Sequence, residues 1–236
     1  MVRDFTLSEV YSRLSMQTTK RVAHALVQTE TNKSLVSLDT KVPIQKQHTR
    51  VAVAKLPTSF GDFEAVTFSG MNDIALIKGE VKGKKSVLVR IHSECLTGDA
   101  FGSKRCDCQD QLHLSLSLLA KSDCGALLYL RQEGRGIGLH NKIRTYELQE
   151  QGLDTVEANR ALGFQDDERT YDIAAFMLNY LGVSSIKLMT NNPEKVISLK
   201  ALGVVITERI PIEIMPSLHN ANYLKIKKEK MGHFIT

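Results

Sequence analysis

Cysteine is scarce, and what there is sits largely in one place. The 236-residue chain has four cysteines, three of them in HSECLTGDAFGSKRCDC, His92 to Cys108. That excludes the disulfide framework of a small secreted domain; in a cytosolic chain such clusters are more often metal-binding or catalytic. Long apolar runs are also lacking: nothing approaches the roughly 18 uninterrupted apolar residues of a membrane span. Met1 to Ser15 alternates charge and polarity with no apolar segment, so no signal peptide is read and the cytoplasm is the expected compartment. Low-complexity tracts and internal repeats are absent as well. The C-x-x-C spacing usual in redox pairs does not occur among the clustered cysteines, which weighs against a disulfide device. Charge is nearly balanced at a net +5, with a pI of about 9.0. Such an excess fits nucleic acid and a phosphorylated small molecule equally.

What is present suits one large domain, or one domain plus an extension, since 42% of the residues are hydrophobic. Residues 1–50 carry a helical spacing at Val10, Leu14, Val22 and Leu26, weakened by many Thr and Ser, followed by a linker with no chemical constellation. Strand signals begin at Arg50. VAVAKLPTSFGDFEAVTFS reads as a hairpin around Pro57 to Asp62, and DIALIKGEVKGKKSVLVRIHSE as two strands joined at Gly83-Lys84-Lys85. QLHLSLSLLAKSD reads as a helix, because the strand GALLYLRQ (125–132) follows it. A glycine-rich turn comes next, then helices near 140–151 and 168–181, the strand SIKLMTN, a helix from Pro193 and the strand VVITERI. The expected fold is α+β or mixed α/β: a β-hairpin-rich first half, then alternating strands and helices. The expected domains are an extension over 1–50 and a single catalytic domain over 51–236. The basic run YLKIKKEKMGH reads as a solvated face.

The cysteine spacing is C-x10-C-x-C. On a strand Cys106 and Cys108 would share a face but stand roughly 6.6 Å apart, too far for one ion, so they share a metal only across a turn, for which Asp107 is suited. Gly98 and Gly102 allow the loop from Cys95 to fold back. Three thiolates read as an open zinc site, with Cys124 a small core residue; the competing reading is four-coordinate structural zinc completed by His92 or Cys124. An open zinc site lowers the pKa of bound water to about 7, which suits hydrolysis or deamination. HSE fits the H-x-E of zinc base deaminases, but their P-C-x-x-C partner is missing. RQEGRGIG lies between a strand and a helix, with Arg131, Arg135, Lys142 and Arg144 around it. Backbone amides at such a turn can cradle phosphate, although the motif is neither a dinucleotide fingerprint nor a P-loop. In TNNPEK, Asn192 is a good N-cap and Pro193 a good first helical residue, placing Thr190 and Lys195 at a candidate anion site. Hydroxide plus a phosphate cradle points to a nucleotide attacked on its base.

At this point RIHSECLTGDAFGSKRCDC and RQEGRGIGLHNKI resemble the signatures of the GTP cyclohydrolase II family. The likeness runs on through DTVEANRALGFQDDERTYDIAA, LMTNNPEKV and YLKIKKEKMGH, in the family's order, over about residues 50–236. The resemblance implies catalytic zinc on Cys95, Cys106 and Cys108, opening of the guanine imidazole ring of GTP at C8, and release of formate and pyrophosphate. It thus implies the first step of riboflavin biosynthesis. Asp167 and Arg169 match the family's general base and nucleophile. Guanidinium is effectively always protonated, so Arg169 acting only on phosphate charge stays open beside that role. Tyr146 matches the tyrosine near the ring-opening chemistry. Substrate contacts carry over to Arg90, Ile91, His92, Ser93, Glu94, Gln111, Glu133, Gly134, Arg135, Thr155, Thr190 and Lys195, with Glu133 a candidate acceptor for guanine N1–H and N2–H. The resemblance further implies Mg²⁺ with the triphosphate, a homodimer, and neither nucleic acid nor membrane as partner. DDER by itself reads as a charged helix start. Two departures stand out: Gln109 replaces the family's usual glycine, and the first 50 residues lack the acidic signature of the dihydroxybutanone-phosphate synthase domain, so one activity is expected. The alternatives are a zinc nucleobase or nucleotide deaminase-type enzyme and a non-catalytic zinc-bearing nucleic-acid binder.

Overall fold

Alternating apolar residues open the part of the chain described by the computed structural model, residues 51–215 and Gly232. The helical spacing at Val10 to Leu26 and the basic tail, Gly232 apart, lie outside it. Strands β1 (Val51–Thr58) and β2 (Gly61–Phe68) form the expected antiparallel hairpin. Thr58 closes the turn: its hydroxyl donates to the Gly61 carbonyl at 2.7 Å and accepts from the Phe60 and Gly61 amides. Strand β3 (Ile74–Lys78) adds antiparallel to β2.

The next pairing departs from the sequence reading. Strand β4 (Val87–Ser93) follows β3 through the expected turn, but the two are not neighbours. Strand β5 (Gly125–Leu130) lies between them, antiparallel to β3 and parallel to β4. The reason is burial on both faces. VLVRIH and GALLYL are almost entirely buried, the pattern of central parallel strands, and parallel neighbours need a crossover rather than a tight turn. That crossover carries the short α1 (Leu96–Asp99) and α2 (Cys108–Ala120), the helix expected from the leucine run.

The remainder alternates as predicted. It comprises α3 (Gly138–Glu150), α4 (Thr155–Ala161), α5 (Asp172–Tyr180), β6 (Ile186–Met189), α6 (Pro193–Ala201) and β7 (Ile206–Ile210). The sheet order is β1-β2-β3-β5-β4-β6-β7, with β5, β4, β6 and β7 parallel. The described residues thus form a mixed α/β domain of seven strands and six helices. None of these helices is long and apolar enough to cross a membrane. Helix α4 is an addition to the elements expected from the sequence, although Asp154 and Glu157 form a complete capping box at its start. DDER is not a helix start: residues 166–169 precede α5 as irregular chain. The Asp167 carboxylate takes the Arg169 amide and the Glu168 amide bonds the Arg135 carbonyl, so those donors are committed away from a helical turn.

Apolar layers cover both faces of the sheet. Ala126, Leu128 and Leu130 of β5 join one cluster with Val89, Ile91, Met177 and Leu199; Leu127 joins the other with Phe63, Leu116, Leu119 and Ile212. The alternation along β5 is the period-two rule of a strand. It places the parallel ends Ser93, Leu130 and Met189 along one side of the sheet, where loops after strands in open α/β sheets build binding sites. Leu119 is fully buried and pins α2 to the second layer. Leu119→Ala should lower stability by about 2–5 kcal/mol, seen as a lower urea midpoint at unchanged slope.

Candidate active site

Three chain segments bring three sulfurs together at the carboxyl end of β4. Cys95 immediately precedes α1, Cys106 lies in the loop, and Cys108 is the first residue of α2. Their Sγ atoms all lie within 4.8 Å of one another, with Cys95 and Cys106 3.6 Å apart. A tetrahedral ion bonded to sulfur at about 2.3 Å separates its sulfurs by roughly 3.8 Å, so the cluster fits a metal ion. Helix α1 is what allows the approach. A β-carbon at Gly98 would stand 2.9 Å from Cys106 Sγ and 3.1 Å from Cys95 Sγ. Cys124 packs against the apolar core instead, as expected. His92 turns its Nε2 to the Asp99 carboxylate at 3.0 Å and stacks on Tyr129, and among the described residues only Cys95, Cys106 and Cys108 group closely enough to share an ion.

Crowding also splits the titration of the sulfurs. Hydrogen bonds from Cys106 and Cys108, with Lys142 nearby, hold Cys95 far below the ordinary thiol range. The Cys108 hydrogen bond pulls Cys106 down, but Cys95 and burial outweigh it and push Cys106 up to about 11. Hydrogen bonds to Cys106 and Cys95, together with burial, raise Cys108 further. Three thiolates this close repel, and a cation at the centre is what lets all three deprotonate.

Two buried carboxylates organise the surroundings. Asp99 accepts from His92, from the Cys95 amide at 3.0 Å and from the Tyr129 hydroxyl at 2.8 Å. Glu133 accepts from the Leu96 amide at 2.6 Å, the Gly134 amide at 2.8 Å and Lys142 Nζ at 2.7 Å. Lys142 Nζ also donates to Cys95 Sγ at 3.1 Å. Burial works against the Lys142 charge, but these acceptors outweigh it and hold its pKa above the ordinary lysine value. Neither Asp99 nor the sulfur contact of Lys142 is legible in the sequence; each depends on a fold-back that spacing does not encode. Gln109 lies in helical chain and donates to the Asp99 carbonyl at 3.2 Å, so its position makes no demand for glycine.

The sulfurs open on a cavity of about 410 Å³. Of the residues carried over from the family, Arg90, His92, Ser93, Glu94, Gln111, Glu133, Gly134, Arg135, Thr155, Thr190, Lys195, Tyr146 and Arg169 line it; Ile91 and Asp167 do not. The Ile91 side chain is core, and its carbonyl accepts from Lys195 Nζ at 2.7 Å. Asp167 stands behind Arg169, taking both Nε (2.8 Å) and the adjacent terminal nitrogen. Burial pushes the Asp167 carboxyl up, but the Arg169 hydrogen bonds and charge outweigh it and leave it below the ordinary range. The buried Arg90 spans the Met189 carbonyl and Gln111, and desolvation lowers its pKa to about 10. Tyr146 places its hydroxyl 3.4 Å from Thr97 Oγ1, under the Arg105 guanidinium.

The glycine-rich turn differs from the expected amide cradle. Gly134 and Gly136 use their amides on Glu133 and on the Gln132 carbonyl. The turn instead presents Arg135, itself left-handed at φ 61°, and brings residues 165–169 against Gly136, where a β-carbon would meet Glu168 at 2.9 Å. Arg131 and Arg144 face elsewhere, on Glu94 and Asn141. Additional lining residues that the motifs do not announce include Arg105, Asn159 and Asn191.

Two outcomes follow from this geometry. Gly98→Ala should weaken metal binding about tenfold or more, the scale of 1–3 kcal/mol of overpacking, with the far-ultraviolet dichroism kept; dialysis against a graded chelator measures it. Asp167→Asn should lower stability at pH 7 by roughly 1–2 kcal/mol. Because the folded carboxyl titrates below its ordinary 3.8, that contribution is present above this pH and lost as pH falls below it, so denaturation curves of parent and variant should converge in acid.

The family model for GTP cyclohydrolase II matches residues 49–211. The chain is 55% identical over 184 residues to riboflavin biosynthesis protein RibBA of Endomicrobium trichonymphae, covering 76% of this chain and 46% of that protein. It is 52% identical over 185 residues to RibBA of Bacillus subtilis (strain 168), covering 76% and 46%. With GTP cyclohydrolase-2 of Proteus mirabilis (strain HI4320) the identity is 53% over 190 residues, covering 79% of this chain and 96% of the other. The chain therefore spans about half the length of the RibBA relatives it matches and nearly all of the shorter protein. On the family match and these identities, the chain belongs to the GTP cyclohydrolase II family.

Proposed function

We propose that the protein is a zinc-dependent GTP cyclohydrolase II. On this reading it opens the guanine imidazole ring of GTP and releases formate and pyrophosphate. The product is 2,5-diamino-6-ribosylamino-4(3H)-pyrimidinone 5′-phosphate, made in the first step of riboflavin biosynthesis. One observation carries the reading: three sulfurs within 4.8 Å of one another open on a cavity whose wall also holds Arg90, Arg105, Arg135, Arg169 and Lys195. Cations in that number match a triphosphate, and thiolates without a fourth protein ligand among the described residues match a catalytic rather than a structural metal.

Cys95, Cys106 and Cys108 would hold the zinc. Bound there, zinc supplies Lewis acidity that makes hydroxide available near neutral pH. The chain's own residues do the rest. Tyr146 is set beside Thr97 and the sulfurs, where its hydroxyl can move a proton during ring opening. Asp167 keeps Arg169 charged and aimed, which supports Arg169 as a cation stabilising the α-phosphate rather than as a nucleophile. Lys195 is held by the Ile91 carbonyl at the N-terminal end of α6, near Thr190, which suits an anion. Mg²⁺ enters with the triphosphate. The same reading includes a homodimer in the cytoplasm, a catalytic domain over 51–236, and an extension over 1–50 without a catalytic part. A nucleobase deaminase would lack use for the cation-lined wall, a nucleotide deaminase is separated by its product, ammonia, and the concave site favours a small molecule over a nucleic-acid duplex.

Incubation with GTP and Mg²⁺ should release formate and pyrophosphate. Ammonia instead of formate, or neither product from zinc-loaded protein, would sink the proposal. Cys106→Ser should lose zinc and ring opening together, with activity falling at least ~10³-fold, the scale of several kcal/mol of Lewis-acid stabilisation.

A further inference from the structure

Glu133 has two candidate roles, and its hydrogen bonds carry one of them. The family resemblance makes it an acceptor for guanine N1–H and N2–H, which needs both carboxylate oxygens turned to the ligand. In the fold Glu133 is 7% exposed and both oxygens are engaged: Oε2 by the Leu96 amide, Oε1 by the Gly134 amide and by Lys142. An ionised carboxylate offers about four lone-pair sites; three are taken by the protein.

The donors also share a location. Leu96 directly follows Cys95, and Lys142 Nζ lies 3.1 Å from Cys95 Sγ as well as 2.7 Å from Glu133. Lys142 is itself 7% exposed, and it reaches this spot because Gly134 has no β-carbon to meet its own at 3.0 Å. A buried ammonium or carboxylate is retained only where each is paired, and here each completes the other while touching the residue or main chain of one sulfur ligand.

We propose that Glu133 and Lys142 form a positioning pair for the metal centre. Lys142 orients the Cys95 sulfur, and Glu133 fixes Lys142 and the chain at Leu96. The inference rests on Cys95, Cys106 and Cys108 being the metal ligands. Outer hydrogen bonds of this kind set ligand direction and change metal affinity about 10–100-fold when removed.

The test uses the full-length protein and metal alone. Zn²⁺ affinity is measured by competition with a chromophoric chelator, and the Co²⁺-substituted protein reports sulfur-to-metal charge transfer. Glu133→Gln and Lys142→Met should each weaken Zn²⁺ binding about 10–100-fold and shift the Co²⁺ band. The double variant should be little worse than the poorer single one. Should Glu133→Gln fail to fold, the Zn²⁺ affinity and Co²⁺ band of Lys142→Met decide the pair's role. Parental metal affinity and spectrum in the single variants overturn that role. Cys106→Ser separates the levels. If it keeps parental Zn²⁺ affinity, the metal assignment itself fails; if it loses zinc while the other variants keep it, only the positioning role fails.

Discussion

Three sulfurs that cannot all be anions without a cation among them are the constraint around which this domain is arranged. Bringing them within 4.8 Å requires helix α1 to present Gly98, since any β-carbon there would stand against two of the sulfurs. It also requires the Cys95 loop to be tied down from both sides. Asp99 takes the Cys95 amide on one side, and Glu133 takes the Leu96 amide on the other. Lys142 then reaches the Cys95 sulfur from α3. These contacts are buried or partly buried, where hydrogen bonds to charged groups contribute most and unmatched charges are least tolerated.

The sheet supplies the frame for this. Parallel strands β4, β5 and β6 end on one side, and their ends lead to Cys95, Glu133 and Thr190, all on one cavity wall. Strand β4 divides its labour by alternation: Val89 and Ile91 enter the core, whereas Arg90 and His92 face the cavity. The glycine-rich turn after β5 serves packing. Gly134 clears a path for Lys142, and Gly136 lets residues 165–169 approach, which brings Arg169 to the wall with Asp167 behind it. A motif that looks like a phosphate cradle is here a hinge between two charged segments.

Much of this is legible in the residues alone. The C-x10-C-x-C spacing announces three ligands, the leucine run announces α2, and TNNPEK announces a capped helix whose Asn192 accepts the Glu194 amide at 3.0 Å. Other readings fail for identifiable reasons. DDER looks like a helix start because charged residues favour first turns, yet its amides are bonded to Asp167 and Arg135. Gln109 looks like a departure needing a special backbone angle, yet its place in α2 is ordinary helix.

By itself, then, the sequence determined the cysteine cluster, the alternation of elements and the family, because these depend on residue type and spacing along the chain. The tertiary structure alone decided that β5 separates β3 from β4, that Asp167 faces Arg169 rather than the cavity, and that Glu133 takes three protein donors. Those facts depend on which hydrogen-bond partner lies nearest in space. For Leu96 and Glu133 that partner is 37 residues away along the chain, and no local pattern encodes it.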